Sequence, residues 1–205
     1  VVFNHRSYFD SAAVGLLIAQ AERSVRFLGK KEVFDLPLVG KLGAMLGGIR
    51  VDRGAGSDEP LKKAIDALKG GELVAMAPEG TIPRGPAFFD PALKGRWGAA
   101  RLAHATHAPV IPVGLWGTEK VWPRSSRLPN LDLADPPLVT IRIGQPVELK
   151  HKSLDKDTQR IMTAIVGQLP SEAREHREPT PEELIPTYPP GYRGDPDAET
   201  GRRPG

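Results

Sequence analysis

The sequence predicts an α/β fold, a single domain with a largely parallel or mixed central β-sheet flanked by helices. Three observations carry that reading. Short apolar runs rich in β-branched residues alternate with longer segments of helical period. The polar motifs follow the strand-like runs instead of sitting inside helices. From Pro170 onward proline is dense and periodicity is lost, so residues 1–169 carry the fold and residues 170–205 form a Pro-rich C-terminal extension.

Val1 to Asn4 reads as the end of a buried strand, and Ser7 to Asp10 opens an apolar helix through about Ala21. Ser24 to Leu28 is a second strand. Glu32 to Leu46 is helical in pieces, broken at Pro37, whose ring removes a backbone donor. Gly48 to Val51 is a short strand. Asp58 to Lys69 is an amphipathic helix with Leu61, Ile65 and Leu68 on one face, stopped by Gly70-Gly71. Glu72 to Ala77 is a strand, Trp97 to Thr106 a helix and Val110 to Leu115 a strand. Val139 to Ile143 is a late strand, followed by a helix over Ser153 to Leu169 that turns Leu154, Ile161, Ile165 and Leu169 inward. The composition of Glu178 to Gly205 suits either a disordered terminus or a segment strapped over the domain by Leu184, Ile185, Tyr188 and Tyr192.

The 205 residues suffice for one substantial core. Without cysteine, disulfides, thiolate metal sites and a cysteine nucleophile are excluded. A net charge of +3 suits anionic partners such as phosphates and lipid headgroups. The longest apolar run, Ala12 to Ala19, falls far short of the ~20 residues that cross a bilayer. The chain starts inside a strand, directly before its first motif, so further sequence is expected upstream.

Four motifs follow in order. In the first, Asn4-His5-Arg6-Ser7-Tyr8-Phe9-Asp10, an imidazole suited to take a proton near neutral pH lies five residues before a carboxylate suited to orient it. In a uniform helix, five steps leave two side chains about 140° apart. The pair therefore meets only if the chain turns at His5 and the helix starts later. Ser7 and Asp10 also have capping-box spacing, and a serine cap would fix such a turn. The second motif, Gly48 to Arg53, ends on Arg53, whose guanidinium suits phosphate oxygens. In the third, Ala77-Pro78-Glu79-Gly80-Thr81, proline and glycine force a tight turn. There Gly80, Thr81 and nearby Arg84 could hold a phosphate, while Glu79 orients Arg53 or Arg84 or accepts a hydrogen bond from a substrate hydroxyl. The fourth, Val110 to Val113, is an apolar wall. His5, Arg53 and Pro78 to Thr81 each follow a strand, and in open α/β sheets the ligand site gathers at that edge. No nucleophile elbow, HExxH, P-loop or dinucleotide fingerprint is present.

Together the motifs resemble those of the glycerolipid acyltransferase family, whose best-known members are the PlsC-like 1-acylglycerol-3-phosphate acyltransferases. The family's N-H-x-x-x-x-D is matched by Asn4, His5 and Asp10, and its G-x-I-x-V-D-R by Gly48, Ile49, Val51, Asp52 and Arg53. Its F-P-E-G-T-R is matched at Pro78, Glu79, Gly80 and Thr81, and its V-I-P-V by Val110 to Val113. Two positions depart: Ala77 replaces an aromatic, and Ile82 stands where the family carries Arg, with Arg84 the nearest arginine.

The resemblance implies a glycerol-3-phosphate acyltransferase-like fold in residues 1–169, lacking its N-terminal part. It implies transfer of a fatty acyl group from acyl-CoA or acyl-carrier protein to a glycerophospholipid precursor, 1-acylglycerol-3-phosphate giving phosphatidic acid. His5 is then the base and Asp10 its orienter, with Arg53, Glu79, Gly80, Thr81 and Arg84 at the substrate phosphate. No metal or redox cofactor is implied, only acyl-CoA as co-substrate. The expected setting is peripheral, on the cytoplasmic side of the cell membrane, with a lysophospholipid acceptor and no nucleic acid. Leu36 to Leu46, or Phe88-Phe89 flanked by Lys94 and Arg96, would touch that surface, while Trp97, Trp116 and Trp122 serve as core or cleft wall. Two alternatives stay open: a CoA-independent transacylase of the same fold, and a non-catalytic module binding anionic lipid.

Overall fold

Parallel pairing of short apolar runs sets the frame. In the computed structural model, residues 1–30, 48–51, 59–130 and 132–194 are described. The helical pieces expected over Glu32 to Leu46, the membrane-contact stretch within them, and Arg53 lie outside the described residues.

The strands are β1 (Val2–Phe3), β2 (Val25–Lys30), β3 (Ile49–Val51), β4 (Leu73–Ala75), β5 (Pro112–Trp116) and β6 (Thr140–Ile143). They form two three-stranded sheets, β3-β2-β4 and β1-β5-β6. A parallel bridge between Val2 and Met76 joins them, with Phe3 N–H donating to Met76 O at 3.2 Å and Met76 N–H to Val1 O at 3.1 Å. The joined order is β3-β2-β4-β1-β5-β6. Every pairing is parallel except β5 with β6. β1 to β5 therefore point their C-terminal ends at one edge.

The helices are α1 (Asp10–Ala19), α2 (Glu59–Lys69), α3 (Gly98–Thr106), α4 (Thr118–Val121), α5 (Leu154–Val166) and α6 (Pro181–Leu184). Adjacent strand residues face opposite sides of a sheet, and β1 shows the consequence. Val2 packs with Ala99, Ala103, Ile161 and Ile165 of α3 and α5. Phe3 packs with Ala13, Val14 and Ile18 of α1. Both faces are thus covered, as a mainly parallel sheet requires. The expected stripe of α2, Leu61, Ile65 and Leu68, packs beside buried Ala64 and Ala67 against Ile49 and Val74. α5 starts at Ser153, whose hydroxyl accepts the Lys156 N–H. Its inward Ile161 and Ile165 are fully buried, each contributing roughly 1.5–3 kcal/mol. At Gly114 on β5, a Cβ would lie 2.7 Å from the Gln168 backbone, so only glycine lets the end of α5 rest there.

The extension is folded as far as it is described. α6 carries a full capping box between Thr180 and Glu183. Its chain straps the 82–89 loop through Thr187 Oγ1, which accepts the Gly85 N–H at 2.8 Å, and the loop after α4 through Pro186 O, which accepts the Ser125 N–H at 3.2 Å. Tyr188 and Tyr192 stack on each other, and Tyr192 lies under the Arg84 guanidinium. Ile185, expected to hold the strap, is instead exposed.

Candidate active site

Two neighbouring parallel strands deliver the first and third motifs to one edge. β1 ends at Phe3, two residues before His5, and its partner Met76 lies three residues before Glu79. Asn4 fixes the exit of β1. Its Nδ2 donates to Leu115 O at 2.9 Å, and its Oδ1 accepts the Leu115 N–H at 2.7 Å. The side chain thus acts as one more strand residue toward β5 while the backbone turns away.

The turn brings Asp10 back to His5. His5 Nδ1 lies 2.8 Å from Asp10 Oδ2. The same oxygen accepts the Arg6 N–H at 2.7 Å and the Ser7 N–H at 2.8 Å. Asp10 is fully buried, whereas the imidazole is about a quarter exposed. Because Oδ2 already accepts two backbone N–H groups, it takes the Nδ1–H of His5 and leaves Nε2 to accept a proton. The other oxygen, Oδ1, is buried without a hydrogen-bond partner among the described residues.

The anticipated serine cap forms only in part. Asp10 accepts the Ser7 N–H, which is half of a capping box. The Ser7 hydroxyl instead accepts the Phe9 N–H at 3.0 Å and donates to Trp122 O at 2.7 Å. α1 consequently starts at Asp10 and not at Ser7.

In the third motif, Gly80 N–H closes a turn onto Ala77 O at 3.0 Å, with Gly80 at φ +72°, a conformation that glycine adopts without penalty. The turn aims Glu79 at the first motif: its Oε1 accepts the His5 N–H at 2.7 Å. Sequence spacing had offered Glu79 an arginine or a substrate hydroxyl. The described bond goes to the backbone of the candidate base. Thr81 and Ile82 are buried, and Arg84 is half-buried over Tyr192.

Several site neighbours were not singled out by the sequence. Arg6 is held between the rings of Phe88 (4.1 Å) and Trp116 (4.3 Å) and pairs with Glu119 at 3.1 Å. Arg124 donates to Ile82 O, bringing a guanidinium to the end of the third motif. The available signal was the parallel direction of β5, which puts the loop after it at the same edge as His5. Trp116 lies under the Arg6 guanidinium, and Trp122 packs edge-on against Tyr8. Trp97, half-buried, donates to Asp155 at 2.7 Å. Phe88, a candidate membrane contact, is buried under Arg6, and the Arg177 guanidinium covers Phe89, so that assignment is corrected.

A cleft of about 570 Å³ reaches the site at Glu79. Leu93, Met162 and Val166 line it, with Lys94 and Arg96 among its walls. Among the described residues, no helix is long and apolar enough to cross a membrane.

The model of the family described as Acyltransferase matches residues 1–116. A chloroplastic 1-acyl-sn-glycerol-3-phosphate acyltransferase of Brassica napus is 31% identical over 127 residues, covering 61% of this chain and 35% of that protein. A 1-acyl-sn-glycerol-3-phosphate acyltransferase of Limnanthes douglasii is 28% identical over 158 residues, covering 76% and 52%. The crystal structure of the 1-acyl-sn-glycerophosphate acyltransferase PlsC from Thermotoga maritima superposes with a TM-score of 0.54 at 26% identity, over 82% of this chain and 63% of that one. The chain thus spans about a third to a half of the length of these curated relatives. With its mixed α/β sheet and its ordered motifs, the chain belongs to the family described as Acyltransferase, and its fold is similar to that of PlsC.

Proposed function

We propose that the chain moves a fatty acyl group from a thioester, acyl-CoA or acyl-carrier protein, to the free hydroxyl of 1-acylglycerol-3-phosphate, giving phosphatidic acid. The observation that carries this reading is the partly exposed imidazole whose Nδ1 is fixed by a buried carboxylate. In this mechanism His5 Nε2 takes the proton of the acceptor hydroxyl as its oxygen attacks the thioester carbonyl. A C–O bond forms, the C–S bond breaks through a tetrahedral intermediate, and the imidazolium returns the proton to the departing thiolate. No acyl-enzyme forms. Asp10 holds the tautomer and stabilises the imidazolium, as a triad carboxylate does. Glu79, bonded to the His5 N–H, fixes the backbone from which the imidazole projects.

Arg53, Gly80, Thr81 and Arg84 bind the acceptor phosphate in this reading, joined by Arg124 at the Ile82 carbonyl. The apolar wall of the cleft suits an acyl chain, and Lys94 and Arg96 suit the phosphates of its carrier. Exposed Tyr8, just before α1, and Leu16 within it support a peripheral seat at a membrane surface beside an amphiphilic acceptor; the cytoplasmic side is part of the proposal.

The test is purified protein with a panel of acyl thioesters and three acceptors: glycerol-3-phosphate, lysophosphatidate and monoacylglycerol. Lysophosphatidate is the expected acceptor. His5→Ala folds and loses roughly 10²- to 10⁴-fold in kcat. Near-wild-type turnover in that variant refutes the base assignment. Transfer from a donor phospholipid without thioester identifies a transacylase instead.

A further inference from the structure

Three of the chain's five histidines gather away from His5. α3 begins just after the Arg96 N–H bonds to Pro78 O at the active-site edge, and its nine residues carry the chain about 13 Å back across the sheet. His104 lies in its last turn, and His107 closes it at φ 54°. His151, also at φ 54°, stands in the turn before α5. Positive φ is uncommon outside glycine, so the backbone holds two of these three rings from unusual positions. The His151 ring centre is 5.0 Å from that of His104 and 4.8 Å from that of His107.

Behind them lies Asp157, fully buried in the first turn of α5. Its Oδ1 accepts the Lys150 N–H at 3.0 Å and Arg160 Nη1 at 2.7 Å. Its Oδ2 accepts the His151 N–H at 2.8 Å and pairs with His104 Nε2 at 2.8 Å. Asp157 Oδ2 takes the Nε2–H of His104 and leaves its Nδ1 with a lone pair. A carboxylate behind an imidazole is the usual support of a metal-binding histidine.

The spacing fits as well. One ring nitrogen of His104, one of His151 and a carboxylate oxygen of Asp157 lie within 4.8 Å of one another. Two imidazoles bound tetrahedrally to one Zn²⁺ through nitrogens at about 2.0–2.1 Å have ring centres roughly 5 Å apart. The neighbouring cations are already neutralised, Lys150 by Glu148 and Arg160 by Asp157.

We propose that the imidazoles of His104 and His151, with the carboxylate of Asp157 beside them, hold one divalent cation of the Zn²⁺ class. Imidazole donors select such ions over Mg²⁺ or Ca²⁺. The ion locks the end of α3 to the start of α5, at a distance from the acyl-transfer site, and is independent of that reading.

The experiment uses the untagged 205-residue chain, stripped with chelator and titrated with Co²⁺ and then Zn²⁺. One Co²⁺ per chain gives the intense visible bands of tetrahedral coordination, and one equivalent of Zn²⁺ removes them. Zn²⁺ at about a hundred times its Kd raises Tm by roughly 5–10 °C. His151→Asn keeps the left-handed backbone, which Asn tolerates. The variant folds and weakens Co²⁺ binding at least about tenfold, as expected for loss of a ligand. His5→Ala and His176→Asn bind as wild type. Absence of the bands and of the Tm shift overturns the proposal, as do bands that survive in His151→Asn or that depend on His5.

Discussion

Replacing Asp10 by Asn isolates what its charge contributes. Asp10 Oδ2 accepts the Arg6 and Ser7 N–H groups at 2.7 and 2.8 Å. An Asn side chain must present its carbonyl oxygen there, because its NH₂ cannot accept from backbone donors. That oxygen then also accepts the Nδ1–H of His5, so the tautomer and ring orientation survive. The amide nitrogen takes the place of Oδ1, which has no partner among the described residues. Only the negative charge is lost. With Nδ1 and Oδ2 2.8 Å apart, the charge centres lie about 4 Å apart, which at an effective dielectric constant of 20 corresponds to about 4 kcal/mol of imidazolium stabilisation. At about 1.4 kcal/mol per decade, Asp10→Asn should lower kcat roughly 10³-fold, with KM for both substrates nearly unchanged. Single-turnover acyl transfer measures the loss, and thermal unfolding checks that the protein is intact. A folded variant that loses less than about tenfold refutes an electrostatic role for Asp10. An unfolded one shows that the carboxylate serves the turn.

Glu79→Ala removes the acceptor of the His5 N–H and should reduce kcat by about ten- to a hundredfold, while Glu79→Gln, which still accepts, stays within a few-fold. Equal losses in both variants would mean that the charge of Glu79, and not its hydrogen bond, is used. Asn4→Ala breaks two buried hydrogen bonds to Leu115, a cost of about 2–3 kcal/mol, and should lower Tm by roughly 4–12 °C in calorimetry.

Most of the architecture was legible because periodicity reports it directly. The stripe Leu61, Ile65, Leu68 and the inward face of α5 are where the pattern puts them. The convergence of His5 and Glu79 at one edge followed from strand direction, since β1 and β4, which carry the first and third motifs, are parallel to their neighbours. What spacing could not supply is lateral order. Glu79 reaches the His5 backbone only because β1 and β4 are neighbours, and Arg6 finds Phe88, Trp116 and Glu119 across more than a hundred residues in the last case. The histidine cluster was hidden for the same reason, since His104 and Asp157 are 53 positions apart. Apolar character alone misplaced Phe88, because composition does not distinguish a residue facing lipid from one packed beneath an arginine.

The departure at Ile82 can be tested on the same geometry. Ile82 is 3% exposed, and Arg124 donates to its carbonyl oxygen. Restoring the family residue with Ile82→Arg would force a guanidinium into an apolar position beside another guanidinium. Burying an unpaired charge costs several kcal/mol, so this variant should be destabilised and gain no affinity for lysophosphatidate. Arg124→Ala, by contrast, should fold and raise the acceptor KM by about ten- to a hundredfold, the loss expected for a charged hydrogen bond to phosphate, without changing the acyl-donor KM. In the Ile82→Arg, Arg124→Ala double variant the like charge is gone, so the added arginine should be less harmful than in the wild-type background. Such coupling between contacting residues amounts to about 0.5–3 kcal/mol in a double-mutant cycle. If Ile82→Arg folds normally and tightens acceptor binding while Arg124→Ala changes neither KM, then Arg124 does not stand in for the missing arginine.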